Sequence, residues 1–202
     1  MVKERSFNRN KPLKTIKQLL IVCADSTKSV TYLNQLKREY RGKGFNLNVE
    51  GKGKSNAVSV FKYAQKLIKK SGVAYDTVFC EFDKDNDPHF ESVRQQIKNE
   101  SNFIDCSSNP CFEFWLVLHY EKTSHSIHTQ ECYKRLEKHI PTYNKKTSCY
   151  KELFDITKDK QPIAIKNARN LETESHENFS LIYRIFEEIE RLASENHKPV
   201  SL

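Results

Sequence analysis

The chain has 202 residues, enough for one well-packed domain or for a domain that carries a smaller lobe. It contains 34 Lys and Arg against 26 Asp and Glu, a net charge of +8, and its mean hydropathy is −0.73. This basic balance suits a polyanionic partner such as nucleic acid, or simply a well-solvated surface. The apolar run that follows the N-terminal residues, Leu19–Cys23, is too short for a secretory signal, and no segment reaches membrane-span length.

The cysteines and histidines give no clear metal site of their own. Six cysteines include no CxxC pair, which is typical of a reduced cytoplasmic protein, and we therefore expect a cytoplasmic location away from membranes. A zinc site made of Cys106, Cys111, His119 and Cys132 would match no standard ligand spacing. His119, with His125 and His128, keeps an undefined role, and one of the histidines is a candidate proton carrier.

Residues 1–14 are polar and basic and predict a loose arm. Beyond them, apolar runs of strand length alternate with stripes of helical spacing, which predicts an α/β fold with a mostly parallel central sheet flanked by helices. The alternating pattern of residues 45–50 places that strand near a sheet edge. The predicted strands are 18–24, 45–50, 77–82 and 102–107, and the predicted helices between and after them are 29–40, 57–70, 88–99 and 109–120.

From Thr129 onward the strand pattern stops and only helical patterns remain. The predicted organisation is therefore an α/β core over residues 15–122 and a C-terminal helical lobe over residues 123–202 that packs on it. No Pro-, Gly- or Ser-rich linker separates the two parts. The predicted helices of the lobe are 129–139, 151–157, 162–171 and 178–194.

The stretch "VFCEFDKDND" joins an apolar strand to four alternating acids, Glu81, Asp83, Asp85 and Asp87. Crowded carboxylates repel one another, so a nearby positive charge is expected. Asp83 and Asp85 point the same way in an extended chain and follow a strand of a parallel sheet, where ligand sites form. They predict a site for Mg²⁺ or Mn²⁺. Asp87 is either a further ligand or a cap of the next helix.

The loop "GKGKSN" predicts a phosphate-binding segment. Gly51 and Gly53 permit close backbone approach, Lys52 and Lys54 supply positive charge, and free N–H groups of the following helix can face a phosphate. The loop lacks the spacing of an NTPase P-loop. The alternative is a surface turn with solvated lysines.

Four segments together resemble the RloB-like family, whose core is a Toprim domain. They are "KTIKQLLIVCADSTKSVTYLNQLK", "GKGKSN", "YDTVFCEFDKDNDPHF" and "SNPCFEFWLVLHY", and the resemblance spans about residues 14–171. The resemblance implies a Mg²⁺-dependent endonuclease of bacterial antiviral or restriction-linked defence, a toxin-like effector controlled by an ATPase partner. It favours RNA, including tRNA, over DNA as the substrate, and it is compatible with a homodimer.

Toprim domains hold Mg²⁺ with a Glu at the end of the first strand and a DxD pair at the end of a later one. The resemblance assigns the pair to Asp83-Lys84-Asp85, whereas the Glu position falls on Ala24. Asp25 is adjacent but points to the other face if the strand continues. Two accounts stay open: a naturally inactive variant, or an engineered replacement that disables an active parent.

Glu113 lies in the recognised "NPCFEFW" run, where a buried Glu needs a partner, so it is a candidate for the metal site or for a salt bridge. Lys166 and Arg169 are three residues apart on one helix and are candidate contacts to a nucleic-acid backbone, or a solvated face. The alternative function is a non-catalytic nucleic-acid-binding module or a receiver-like signalling module. In the latter, Ser107 and Lys166 would assist an acceptor Asp83.

Overall fold

Four parallel strands form the centre of the protein in the computed structural model, which describes residues 15–53, 56–123, 125–144 and 146–197. Their order across the sheet is β2-β1-β3-β4, and the neighbouring strands are parallel, which confirms the predicted fold class. The predicted arm 1–14 and Lys54 lie outside the described residues. The strands are β1 Lys17–Cys23, β2 Phe45–Gly51, β3 Thr77–Glu81 and β4 Phe103–Asp105.

Helices cover both faces of this sheet because its central strands are apolar on both sides. One helix packs on the first face, and two pack on the second. The buried residues of the second helix recur at spacings of three and four between Ala57 and Ala64, which is one face of a helix. The three helices are α1 Lys28–Glu39, α2 Ala57–Ser71 and α3 Phe90–Lys98.

The start of α3 differs from the prediction, which used Pro88 as a first-turn residue. The helix begins at Phe90, because the residues before it form a turn around the Asp87 carboxylate. Asp87 Oδ1 accepts a hydrogen bond from the His89 N–H at 2.9 Å. Asp87 Oδ2 accepts one from the Ala57 N–H at 2.9 Å. Asp87 therefore ties the start of α2 to the turn that precedes α3.

A second, two-stranded sheet corrects the predictions for residues 109–120 and for the last third of the chain. β5 Ser108–Asn109 pairs antiparallel with β6 Phe179–Ser180, so one strand does occur after Thr129. Asn109 does not cap a helix; its Nδ2 donates to the carbonyl of Glu177. The helix after it, α4, is correspondingly shorter and covers Phe112–Val117.

The C-terminal helices pack on α1 and α4 and extend the core that lies on the α1 side of the sheet. Trp115 of α4 is completely buried and stacks on Phe186 with ring centroids 5.1 Å apart. Among the described residues, no helix is long and apolar enough to cross a membrane. The C-terminal helices are α5 Thr129–His139, α6 Thr147–Thr157, α7 Gln161–Thr173 and α8 Tyr183–His197.

Candidate metal centre

The parallel pairing of β1 with β3 brings the ends of both strands to one edge of the sheet. Cys23 is the register partner of Glu81, and the N–H of Ala24 donates to the Glu81 carbonyl at 2.9 Å. Beyond β3 the chain stays extended as far as Asp83, which forms a parallel bridge with Ser108. The ends of these strands therefore hold the acidic residues that the sequence places there.

Five carboxyl groups influence one another at this edge, and we call them the acidic cluster: Asp25, Glu81, Asp83, Asp85 and Glu113. The first follows β1, the next three belong to β3 and the residues after it, and the last lies in α4. Glu81 and Glu113 are only 2% and 3% exposed. The structure thus brings Glu113 to the predicted DxD pair across a distance of about 30 positions in the chain.

Burial and mutual repulsion keep protons on part of this cluster. Burial is the main cause that raises the pKa of Glu81 to about 8, and the charge of Asp25 adds to it. Burial also raises the pKa of Asp83 far above its usual range, with further contributions from Glu81 and Glu113. The pKa of Asp85 rises for the same reasons, burial first and then Glu113. Without a cation, some of these groups are therefore neutral at pH 7.

Several partners stabilise individual members of the cluster. Lys28 Nζ lies 3.3 Å from Glu113 Oε1, and the Tyr150 hydroxyl donates to the same oxygen at 2.5 Å. The Ser29 hydroxyl donates to Glu81 Oε2 at 2.8 Å. Asp83 differs, because its Oδ1 atom is buried and has no hydrogen-bond partner among the described residues. A buried carboxylate oxygen without a partner is costly, so Asp83 is the member that most needs a ligand.

Asp85 adopts a backbone conformation that residues other than glycine rarely take. Its φ angle is +36°, in the left-handed region, where a non-glycine residue stores strain that neighbouring structure must impose. The flanking hydrogen bonds impose it: Lys84 N–H donates to the Ser108 carbonyl at 2.8 Å and Asp87 N–H to the Lys84 carbonyl at 2.9 Å. The bend fixes where the Asp85 carboxylate leaves the chain.

Ala24 and Asp25 have different surroundings. Ala24 is half-buried and packs against the apolar residues on the α2 side of the sheet. Asp25 caps α1, since its Oδ1 accepts hydrogen bonds from the N–H groups of Thr27 and Lys28, both at 2.7 Å. Asp25 is therefore a structural cap that adds negative charge to the cluster, and no carboxylate occupies position 24.

The Gly-rich loop lies directly against the end of β1. A Cβ on Gly51 would come within 2.6 Å of the Asp25 carbonyl oxygen and the Ser26 Cα, so only glycine fits there. Lys52 N–H donates to the Cys23 carbonyl, and its Nζ lies 5.5 Å from the centre of the Tyr63 ring. Gly53, with φ +81°, completes the turn.

Two N–H groups at the start of α2 already have protein partners. Asn56 Oδ1 accepts a hydrogen bond from the N–H of Ser59, and Asp87 takes the N–H of Ala57. The sequence had suggested such N–H groups as phosphate contacts. The groups of the loop that remain for phosphate binding are therefore its lysines and the backbone of residues 51–53.

The other predicted residues lie apart from these contacts. Lys166 and Arg169 are exposed on α7, and Arg169 Nε lies 2.5 Å from Glu187 Oε1 of α8. His119 is buried, which lowers its pKa to about 4, and its Nδ1 lies 2.9 Å from the Trp115 carbonyl. His125 Nε2 lies 3.2 Å from an Arg135 nitrogen, and His128 precedes α5.

Within the described residues, no group of three or more His, Cys, Asp or Glu side chains converges in a way that would hold a metal ion. The six cysteines are free and buried. The acidic cluster therefore offers a pair, Asp83 and Asp85, rather than a complete set of ligands. Glu81 was not among the predicted site residues. Its position two residues before Asp83 in extended chain puts both side chains on the same face of the sheet, and this spacing could have predicted its place in the cluster.

The protein belongs to the α/β class, and its carboxyl groups gather at the carboxyl ends of adjacent parallel strands, the sheet edge where ligand sites commonly form in this class. The family model described as RloB-like protein matches residues 19–192. This match covers most of the 202 residues, and the chain belongs to the RloB-like family. No curated protein and no solved structure matches it.

Proposed function

We propose that the chain is a Toprim-type, Mg²⁺-dependent nuclease core that acts on phosphodiester bonds and whose catalysis is disabled at position 24. The observation that carries this proposal is the buried, unpartnered Oδ1 of Asp83 within the acidic cluster. Burial of several carboxyl groups raises their pKa values unless a cation compensates them. A divalent ion held by Asp83 would supply that compensation.

Asp83 and Asp85 would hold the ion, Mg²⁺ or Mn²⁺, because hard cations prefer carboxylate oxygens and bind through one or two of them. The bound ion would supply an activated water and charge stabilisation at the leaving oxygen. Asp87 is outside this set, because both of its oxygens already accept backbone hydrogen bonds. Glu113, held by Lys28 and Tyr150, would be a third ligand or an outer partner of the ion.

Position 24 would complete the site in an active relative. Its backbone N–H donates to the Glu81 carbonyl, so position 24 lies at the same sheet edge as the acidic cluster. The Ala24 methyl group packs on the α2 side of the sheet, whereas Glu81 contacts Ser29 of α1, so a longer side chain would have to bend around the end of β1 to reach the carboxyl groups. A glutamate could act as a ligand or as a general base, and the methyl group of Ala24 can do neither. We therefore expect the chain to bind metal and nucleic acid without turning the nucleic acid over.

The proposed substrate is RNA, including tRNA, ahead of DNA. The proposed setting is bacterial antiviral defence, with the chain as a toxin-like effector that an ATPase partner controls and that can act as a homodimer. Membership of the RloB-like family and the net charge of +8 support these proposals.

The test is restoration of activity by Ala24→Glu. The purified variant is incubated with total tRNA, single-stranded RNA and plasmid DNA in Mg²⁺ or Mn²⁺, alone and with the ATPase partner. We expect cleavage at least about 10³-fold faster than with the unmodified chain, since losing such a group costs several powers of ten. Ala24→Gln is the matched control, because it adds the same bulk without the charge.

Two further measurements make the result decisive. Adding Asp83→Asn to Ala24→Glu should abolish the restored cleavage. Circular dichroism and thermal melting check that residue 24, which packs against apolar neighbours, tolerates the longer side chain, and Ala24→Asp provides a shorter alternative. A folded Ala24→Glu protein that binds metal and cleaves none of the three substrates would reject the nuclease proposal.

A non-catalytic nucleic-acid-binding module is the second candidate, and Ala24 itself favours it. A receiver-like module would require Asp83 to accept a phosphoryl group, with help from Ser107, whose hydroxyl is buried without a partner among the described residues, and from Lys166. The raised pKa of Asp83 disfavours the ionised nucleophile that this reaction needs. Incubation with acetyl phosphate followed by mass spectrometry would detect an aspartyl phosphate.

A further inference from the structure

A groove of about 790 Å³ lies between α1 and the edge strand β2, and we call it the α1–β2 groove. Four cationic residues line it: Lys37, Arg38, Arg41 and Lys151. The first three lie at the end of α1 and just after it, and the last lies on α6. All four are exposed. The groove is a region of the molecule that the proposed metal centre does not use.

The charge of this groove is uncompensated. Its lining contains no Asp or Glu, and none of its four cations takes part in a salt bridge among the described residues. Glu39 and Glu190 act on Tyr40 at one end of the groove but do not line it. Like charges at this spacing repel, so a concave surface that collects them is suited to a polyanion.

Amide side chains form most of the polar remainder of the lining: Gln18, Asn34, Gln35, Asn46 and Asn48. An amide presents both an N–H donor and a carbonyl acceptor, so it can bind a phosphate oxygen and a sugar hydroxyl. The apolar residues of the same lining, Phe45 and Leu47, are each only 6% exposed. The concave, polar surface therefore suits a strand of nucleic acid better than it suits a membrane, which needs exposed apolar groups.

The elements that form the groove also reach the acidic cluster. α1 begins at Lys28, which contacts Glu113, and the groove starts one turn later at Thr31. Lys151 follows Tyr150, whose hydroxyl donates to Glu113. From Thr31 to the end of α1 the helix rises by about 12 Å. That length corresponds to three or four phosphates of one strand at about 3.4 Å each.

We propose that the α1–β2 groove binds the sugar–phosphate backbone of a nucleic-acid strand and leads that strand towards the acidic cluster. That the bound polymer is a nucleic acid rests on the proposed function. It adds a binding track that is separate from the metal ligands and from the Gly-rich loop. Because phosphate contacts need no metal ion, binding can be measured in EDTA, and its outcome is independent of whether Ala24→Glu cleaves.

The experiment measures fluorescence anisotropy of a labelled 20-nucleotide RNA, and of DNA with the same sequence, in EDTA over a series of NaCl concentrations. The variant is Lys37→Gln/Arg38→Gln/Arg41→Gln. The matched control is Lys62→Gln/Lys66→Gln/Lys69→Gln, which removes the same charge from the exposed face of α2. Thermal melting confirms that both variants are folded.

We expect the groove variant to bind at least about tenfold more weakly. The slope of log affinity against log salt should become about 2 less steep, since each of the three lost phosphate contacts removes about 0.7. The α2 control should change affinity less than twofold. If the unmodified chain binds RNA more tightly than DNA and the groove variant loses this preference, the groove is where the protein distinguishes the two sugars. Equal binding of RNA and DNA would assign the groove to phosphates alone.

Three outcomes would overturn the proposal. One is unchanged binding by the groove variant. Another is an equal loss in the α2 control, because affinity would then follow total surface charge rather than this groove. The third is displacement of the RNA by poly-glutamate at equal charge concentration, which would make the groove a site for acidic peptides.

Discussion

The acidic cluster and the α1–β2 groove are two regions of like charge that the protein treats in opposite ways. The carboxyl groups of the cluster are largely buried, and burial raises the pKa values of Glu81, Asp83 and Asp85. The cations of the groove are exposed to solvent. Water screens repulsion between exposed charges, whereas the interior does not.

This difference in burial determines which property of the protein each region influences. Crowded buried carboxyls influence the free energy of unfolding, its pH dependence and the affinity for cations. Crowded exposed cations have little effect on folding and act through long-range attraction of polyanions. A protein with a net charge of +8 can therefore keep an anionic centre, because Glu81 and Glu113 of that centre are buried while the cations of the groove are exposed.

The largest expected effect is on the pH dependence of stability. The pKa of Glu81 is raised from 4.5 to about 8 in the folded protein, so the folded state binds more protons than the unfolded state between these values. Its stabilising contribution is complete below pH 4.5 and is lost as pH rises through 8. We expect the free energy of unfolding to fall over this range by an amount on the order of a few kcal/mol.

Glu81→Gln should flatten this dependence, because glutamine stays neutral and can still accept the Ser29 hydrogen bond. Urea unfolding at pH 5, 6, 7 and 8 measures it, with exposed Glu50→Gln as the control. A profile of Glu81→Gln as steep as that of the unmodified chain would show that Glu81 is not the group responsible.

The next largest effect concerns Mg²⁺. At ten times its Kd, the ion should stabilise the folded protein by about 1.4 kcal/mol, which raises the Tm by several degrees. Asp83→Asn/Asp85→Asn should remove this stabilisation. Asp155→Asn/Asp159→Asn, which neutralises two exposed acids, should retain it. Calorimetric titration gives the affinity, and equal metal binding by both double variants would contradict the assignment.

The smallest effect on folding is expected at the two lysines of the Gly-rich loop, of which Lys52 is exposed. Lys52→Gln/Lys54→Gln should change the free energy of unfolding by less than about 0.5 kcal/mol, as surface changes usually do. It should still weaken nucleic-acid binding and reduce the salt slope by about 1.4, two contacts of about 0.7 each. Lys62→Gln/Lys66→Gln is the control, and an identical slope in all three proteins would make the loop a simple surface turn.

The strands β1 to β3 and the first two helices were predictable to within one residue because each depends on local sequence, whereas β4 ends two residues before its predicted end. β1 and β3 are continuous apolar runs, and α2 carries an apolar stripe from Ala57 to Ala64. The helix at 109–120 was less predictable. Asn109 and Pro110 are typical of a helix start, yet pairing with Phe179, 70 residues later, holds Asn109 in a strand.

In the candidate site, too, the features that depend on local sequence were predictable and those that depend on tertiary contacts were not. The sequence alone determined that Asp83 and Asp85 follow a buried strand, that position 24 lacks a carboxylate and that the chain has the family's motifs. These features are readable because strand ends, residue types and motifs are local properties.

Only the tertiary structure decided which charges are buried and which partners they have. It buried Glu81, placed Glu113 and Tyr150 beside the DxD pair, and assigned Asp87 to the N–H of Ala57. It also brought Lys151 of α6 to the groove that the consecutive elements α1 and β2 form, although α6 lies far from both in the chain. Electrostatic interaction depends on distance and solvent exposure in space, and neither quantity is fixed until the strands and helices have packed.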